Sequence, residues 1–177
     1  MAYANILDCR LIRVFTGKVK SSEVTAKQYQ QAVQGLKEIC RNGKKYGITY
    51  ALETHDNSLM DTSDATLKLI ESVGCDNLKV NLQVPLNYGH EDIFESALRL
   101  KDHTIHVHAH NWHGDWSNLT YLKDGDYNFV YFIDILKTGG FDGYISIEHA
   151  DHHGKHDVMD VLSKEIKYLH DNILFGL

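Results

Sequence analysis

Thr104-Ile105-His106-Val107-His108-Ala109-His110-Asn111 lies near the centre of the 177-residue chain. In an extended strand side chains alternate between faces, so His106, His108 and His110 line one side while Ile105, Val107 and Ala109 line the other. One face is built of imidazole. Two other short β-rich runs end in a carboxylate: Ile48-Thr49-Tyr50-Ala51-Leu52-Glu53 and Tyr144-Ile145-Ser146-Ile147-Glu148. Acidic side chains at strand tips, with a histidine strand between them in sequence, form the donor set of a divalent ion held by carboxylate and imidazole.

The segments around these strands alternate between strand and helix. Leu11-Ile12-Arg13-Val14-Phe15 is a β-rich run ended by Thr16-Gly17, and Thr25-Ala26-Lys27-Gln28 fits a capping box opening a helix. Tyr29, Val33, Leu36, Ile39 and Cys40 recur at helical spacing until Asn42-Gly43 and Gly47 close the segment. A second helix begins near Thr62 or Ser63, presents Leu67, Ile70 and Val73, and stops at Gly74 before the strand Leu78-Lys79-Val80-Asn81-Leu82-Gln83. Further helices are predicted over 90–100, 128–138 and 157–172. Five strands, each followed by a helix and with no hairpin signal between them, predict a parallel sheet covered by helices. No glycine-rich fingerprint or P-loop follows the first strand, so nucleotide binding has no support. Instead, polar residues of one parity gather at strand C-termini: Thr49, Ala51, Glu53 and His55; Asn81 and Gln83; His106 and His108; Ser146 and Glu148. This is the (β/α)8 arrangement, in which active sites occupy that end of the barrel.

Composition excludes several classes. With 43% apolar residues the chain is globular and long enough for one domain with a core. Its net charge of −6, with basic residues scattered, argues against nucleic acid. No run is long enough for a membrane span, and Met1-Ala2-Tyr3-Ala4-Asn5 lacks the basic-then-apolar order of a secretory signal, so a soluble cytoplasmic protein is expected. Cys9, Cys40 and Cys75 are odd in number and far apart in sequence, the pattern of reduced core thiols.

The segments Leu52-Glu53-Thr54-His55, Val80-Asn81-Leu82-Gln83, His106-Val107-His108 and Gly143-Tyr144-Ile145-Ser146-Ile147-Glu148-His149 resemble strands five to eight of the xylose isomerase-like TIM barrels, a family of sugar phosphate isomerases and epimerases that also holds ketose 3-epimerases and inosose dehydratases. Arg13-Val14-Phe15-Thr16-Gly17 is similar to the fourth strand, and Lys123-Asp124-Gly125-Asp126-Tyr127-Asn128 to the family's GxGxxD turn, with only Gly125 matching outright. The resemblance implies a partial (β/α)8 barrel, strands four to eight, in one domain over 1–177 that lacks the first three βα units. It implies one divalent cation (Mn, Co, Mg or Zn) held by Glu53, Gln83, His108 and Glu148, with Glu53 and Glu148 also moving the proton. Gln83 stands where an aspartate is usual, so the site carries one negative charge fewer, and Leu86 and Asn111 replace a usual histidine and aspartate. His55, Asn81, His110 and Arg13 are the expected substrate contacts.

The implied function is metal-dependent isomerisation or 3-epimerisation of a small sugar or sugar phosphate through an enediolate. Dehydration of a polyol ketone uses the same enolate, and a noncatalytic sugar-binding or assembly remnant is the alternative outside enzymes. His106 is expected as a hydrogen-bonded interior histidine, and His110, His113, His149, His152 and His153 as polar loop residues, with His55 and His110 able to reach the pocket. Trp112 and Tyr121 are expected in core or loop packing, with sugar stacking as their functional reading. A full barrel takes about 250 residues, so a five-unit sheet would leave two strand edges and an apolar interior exposed, and a homo-oligomer is the expected remedy.

Overall fold

The computed structural model of the chain describes residues 2–148 and 157–174. His149, His152 and His153 lie outside the described residues. Five parallel strands form one sheet: β1 (Leu11–Val14), β2 (Thr49–Glu53), β3 (Leu78–Leu82), β4 (Thr104–Ala109) and β7 (Tyr144–Ile147), in that spatial order. Helices α2 (Ala26–Lys44), α3 (Ser63–Val73), α4 (Ile93–Leu100), α5 (Phe129–Lys137) and α6 (Val158–Leu169) supply the crossovers and the closing segment. The result is a half-barrel of βα units.

Local chemistry sets the helix boundaries. Thr25 and Gln28 close a reciprocal capping box on α2, and Thr62 caps α3 through the Ala65 N–H. Gly74 ends α3 at φ 62°, a left-handed conformation that a side chain would strain. Asn128, which stands at the aspartate of the expected GxGxxD turn, accepts from the Tyr131 N–H and caps α5.

Two elements depart from the sequence reading. A short helix α1 (Ala2–Ile6) precedes the sheet, and between β4 and α5 the chain makes an antiparallel hairpin, β5 (Asn111–His113) and β6 (Asp115–Thr120). The hairpin corrects the expectation that none interrupts the βα alternation. Its first strand is only three residues long and lacks period-two patterning, and its turn signal is the single Gly114, at φ 77°.

Parallel register puts Arg13 beside Ala51, Glu53 beside Asn81, Asn81 beside His106, and His108 beside Ser146. Those residues share the concave face. Tyr50, Leu52, Leu78, Val80, Leu82 and Val107 take the opposite parity and pack beneath the helices with Leu36, Leu69, Leu100, Phe132 and Ile133. The concave face is therefore largely polar, a correction to the apolar interior expected from sequence. Cys9, Cys40 and Cys75 are all free thiols, and burial pushes the Cys40 thiol up to about 12.

Candidate metal centre

At the C-terminal ends of β2, β4 and β7, the sheet register and the parity of each strand bring Glu53, His108 and Glu148 together. One donor atom from each lies within 4.8 Å of the others. His108 Nδ1 is 3.2 Å from Glu53 Oε1 and 3.2 Å from Glu148 Oε2. Gln83, one residue beyond β3, brings its carboxamide into the same space, 2.9 Å from His108 Nδ1. With its NH2 turned inward it donates to Glu53 Oε1 at 3.0 Å and to Glu148 Oε2 at 3.2 Å. Two carboxylates, an imidazole and an amide meeting at one point suit a divalent ion, which would take the amide oxygen in place of the NH2. Ligand bonds of about 2.0–2.2 Å fit donor atoms clustered this closely.

Electrostatics hold the cluster in charged form without an ion. Burial alone would push the Glu53 carboxyl up, but a hydrogen bond from His108 and the adjacent Arg13 guanidinium outweigh it and hold that carboxyl below its ordinary range. Glu148 is opposed by burial in the same way and is lowered further by His108 and His110. For His108, burial favours the neutral ring, yet the two carboxylates raise its pKa to about 9. The two carboxylates differ in access: the Glu53 side chain is 4% exposed and that of Glu148 43%.

Asn81 is fully buried behind His108, where its amide meets Nε2 at 2.9 Å. Its Oδ1 has no partner among the described residues. A His108 ring protonated at Nε2, as an imidazolium or with an ion on Nδ1, needs an acceptor there, and a half-turn of the Asn81 amide brings Oδ1 into place. Asn81 thus supports the histidine from the side away from the cavity.

The other expected contacts divide between two cavities that share His55, Asp56, Asn57 and Gln83. The larger, about 640 Å³, is lined by Arg13, Phe15, Lys18, Glu53 and Glu148 as well. The smaller, about 140 Å³, adds Pro85, Tyr88, His110 and Trp116. His55 Nδ1 is anchored to the Asp56 carbonyl at 2.7 Å, and Phe15 meets its ring edge-on. His110 is 5% exposed, with Nε2 bonded to the Val84 carbonyl and Nδ1 3.6 Å from Glu148 Oε2.

Several residues serve the scaffold. His106 bonds Ser146 at 2.7 Å, and Leu86 is fully buried in the core. Asn111 donates to the Leu122 and Tyr127 carbonyls and so holds the turn before α5. His113 pairs with Asp126 on the surface, Trp112 packs in the core, and Tyr121 reaches Asp160 at 3.3 Å. Sequence reasoning missed Lys18, Tyr88 and Trp116 at the cavities. Lys18 lies in a loop and Tyr88 in the short 3-10 turn Asn87–Gly89, both too brief for periodicity, and Trp116 depends on the unforeseen hairpin.

Comparison with known proteins follows the same outline. The family model described as xylose isomerase-like TIM barrel matches residues 1–171. A 3-dehydroshikimate dehydratase of Bacillus anthracis is 29% identical over 182 residues, covering 94% of this chain and 64% of its own length. A 2-oxo-tetronate isomerase of Haemophilus influenzae is 24% identical over 155 residues, covering 84% of this chain and 58% of its own. The crystal structure of a probable 3-DHS dehydratase of petrobactin synthesis from Bacillus anthracis superposes with a TM-score of 0.80 at 26% identity, over 95% of this chain and 66% of that one. The chain thus spans less than two thirds of the length of these curated relatives.

Proposed function

For this chain, which belongs to the xylose isomerase-like TIM barrel family, we propose a metal-assisted site that removes the proton beside the carbonyl of a small polyhydroxylated ketone, with loss of water as the outcome. The observation that carries the reading is the convergence of Glu53, His108 and Glu148 on one point at the C-terminal ends of three parallel strands.

Glu53, His108 through Nδ1, Glu148 and the Gln83 oxygen would hold the ion. When bound, the ion supplies a Lewis acid for the carbonyl oxygen and the charge that develops on it. The chain's own groups do the rest. Arg13 keeps Glu53 ionised and oriented. Glu148, the more open carboxylate, takes the proton from the carbon next to the carbonyl. His55 keeps its Nδ1–H on the Asp56 carbonyl and, entering the step as the imidazolium, gives its Nε2 proton to the departing hydroxyl, while Glu148 retains the proton taken from carbon. A C–H and a C–O bond break, a C=C bond forms, and water leaves.

Dehydration is favoured over proton return because the 29% identical relative and the superposed structure at 26% identity are named as dehydratases. The 24% identical isomerase supports the second reading, in which the proton is returned to a neighbouring carbon and the sugar is isomerised or epimerised. The test is incubation of manganese-loaded protein with 3-dehydroshikimate and, separately, with 2-oxo-tetronate and ketohexoses. Growth of the near-ultraviolet absorbance of a dihydroxybenzoate supports dehydration, and turnover of the open-chain substrates alone supports the second reading. A protein that takes up no metal and turns over neither is the noncatalytic remnant.

A further inference from the structure

Tyr88 sits in a conformation that its residue type resists. Its φ is 53°, directly after Asn87 at 51°, and a bulky non-glycine residue there is a genuine outlier under backbone strain. The neighbouring loop enforces it: Asp56 Oδ1 accepts from the Tyr88 N–H at 2.9 Å, and Asn57 Oδ1 accepts from its hydroxyl at 2.5 Å. Lys20 Nζ lies 4.8 Å from the ring centroid. Despite these attachments the ring remains 47% exposed, so it contributes little to the core.

Trp116 presents a similar anomaly on the β5–β6 hairpin, where it is 52% exposed while the other tryptophan, Trp112, is buried at 6%. Both exposed rings line the 140 Å³ cavity, together with Gln83 of the metal centre and with His55 and His110. Its volume is close to the roughly 150 Å³ that takes one six-membered ring, and its lining is mixed, with Asp56 and Asn57 beside the histidines and the two aromatic rings. Strain stored in one aromatic and exposure tolerated in another, at the same small cavity, mark a recognition surface.

We propose that Tyr88 and Trp116 are paired aromatic walls that select a ring-shaped substrate and hold it beside the metal centre. The proposal rests on the dehydration reading above and extends it to substrate class. A six-membered cyclic ketone presents a flat face to stack on indole or phenol, and it flattens further as water leaves, whereas an open-chain ketose presents no fixed face. Tyr88 and Trp116 are thus specificity determinants distinct from the groups that move protons.

The test is fluorescence and calorimetric titration of the manganese-loaded full chain with 3,4-dihydroxybenzoate, a flat ring acid, and with L-erythrulose, a ketotetrose too short to close a six-membered ring. Wild type should bind the ring acid saturably, with tryptophan quenching, and L-erythrulose far more weakly. Trp116→Ala should lose the quenching and weaken ring binding on the order of tenfold, while Trp116→Phe, which keeps an aromatic wall, should stay close to wild type. Tyr88→Gly should weaken binding yet hold or raise the melting temperature, because glycine adopts φ 53° freely. A merely structural Tyr88 would lower it. Ring binding unchanged in Trp116→Ala and Tyr88→Gly would overturn the aromatic walls and leave the reaction untouched. A metal-loaded wild type that dehydrates 3-dehydroshikimate yet shows no preference for the ring acid would overturn them as well. Failure to turn over 3-dehydroshikimate, measured separately, is what would strike the reaction itself.

Discussion

The inner strands β2, β3 and β4 and the outer strands β1 and β7 differ in how they meet water. Ala51, Leu52, Val80, Leu82 and Val107 on the inner strands are 0% exposed, while β1 and β7 contain no fully buried residue. Each inner strand has a parallel neighbour on both sides; β1 and β7 each have one among the described residues. Yet the site draws on both groups: Glu53, Gln83 and His108 come from the inner strands, Arg13 and Glu148 from the outer pair. The more buried part of the sheet positions Glu53, Gln83 and His108, and the less buried part supplies Glu148, the more exposed carboxylate, which we propose meets the substrate.

The largest effect expected tests the inner strands as the anchor of the metal centre. Replacing His108 with Ala removes the donor that links both carboxylates, so stoichiometric manganese measured by atomic emission should vanish. Unchanged metal content would remove His108 from the site. Because the free ring is raised to about 9, an incoming ion displaces a proton over most of the accessible range, and affinity should climb with pH up to that value.

Packing gives the next contrast. Leu82→Ala on β3 empties a fully buried position and should cost about 2–5 kcal/mol in urea unfolding. Ile145→Ala on β7, half-buried, should cost distinctly less. Equal losses would mean that β7 is as fully packed as the inner strands. The outer edges of β1 and β7, unpaired among the described residues, carry a third expectation: we propose that the chain self-associates through them, so sedimentation at micromolar concentration should reveal no dominant monomer. The polar concave face, carrying Arg13, Lys79, Asn81, His106 and Ser146, weakens the apolar drive for this and leaves the unpaired backbone as its main cause.

The same contrast explains what could be read in the chain. The five parallel units were legible because period-two and helical patterns, capping residues and glycine stops agreed with one another, as at Thr25, Thr62 and Gly74. Glu53, His108 and Glu148 stood out as polar residues ending apolar strands. Position within loops was illegible, since Tyr88 owes its place to Asp56 and Asn57 from another loop, and Trp116 to a hairpin with a three-residue strand. Asn81 showed the right parity but not its depth: only the register reveals that it stands behind His108.

A smaller effect is expected just beyond β3, at Gln83, where the sequence resemblance implies an aspartate. Gln83→Asp puts an anionic oxygen beside Glu53 and Glu148, and calorimetry should find manganese bound more tightly, on the order of tenfold. In the metal-free protein the same change places a third carboxylate against two others and removes the amide donor, so the apo melting temperature should fall. Equal affinity would mean that the Gln83 oxygen does not face the ion.

The smallest effect concerns the outer flank, where α6 follows β7 and buries a charge. Glu165 is 2% exposed, accepts the Leu122 N–H at 2.9 Å, and is raised above its ordinary pKa, chiefly by burial. A carboxyl raised in the folded state costs nothing while protonated. The penalty develops as pH climbs through the unfolded value of 4.5 toward the raised folded one, and it stays constant above that. Glu165→Gln keeps an oxygen for Leu122 and removes the charge, so at pH 7 the variant should melt a few degrees higher than wild type. The difference should shrink to nothing below pH 4.5, where both side chains are neutral. A gain that persisted in acid would point to packing as its source, and a loss at pH 7 would mean that the carboxylate on this flank is held by more than the single Leu122 hydrogen bond.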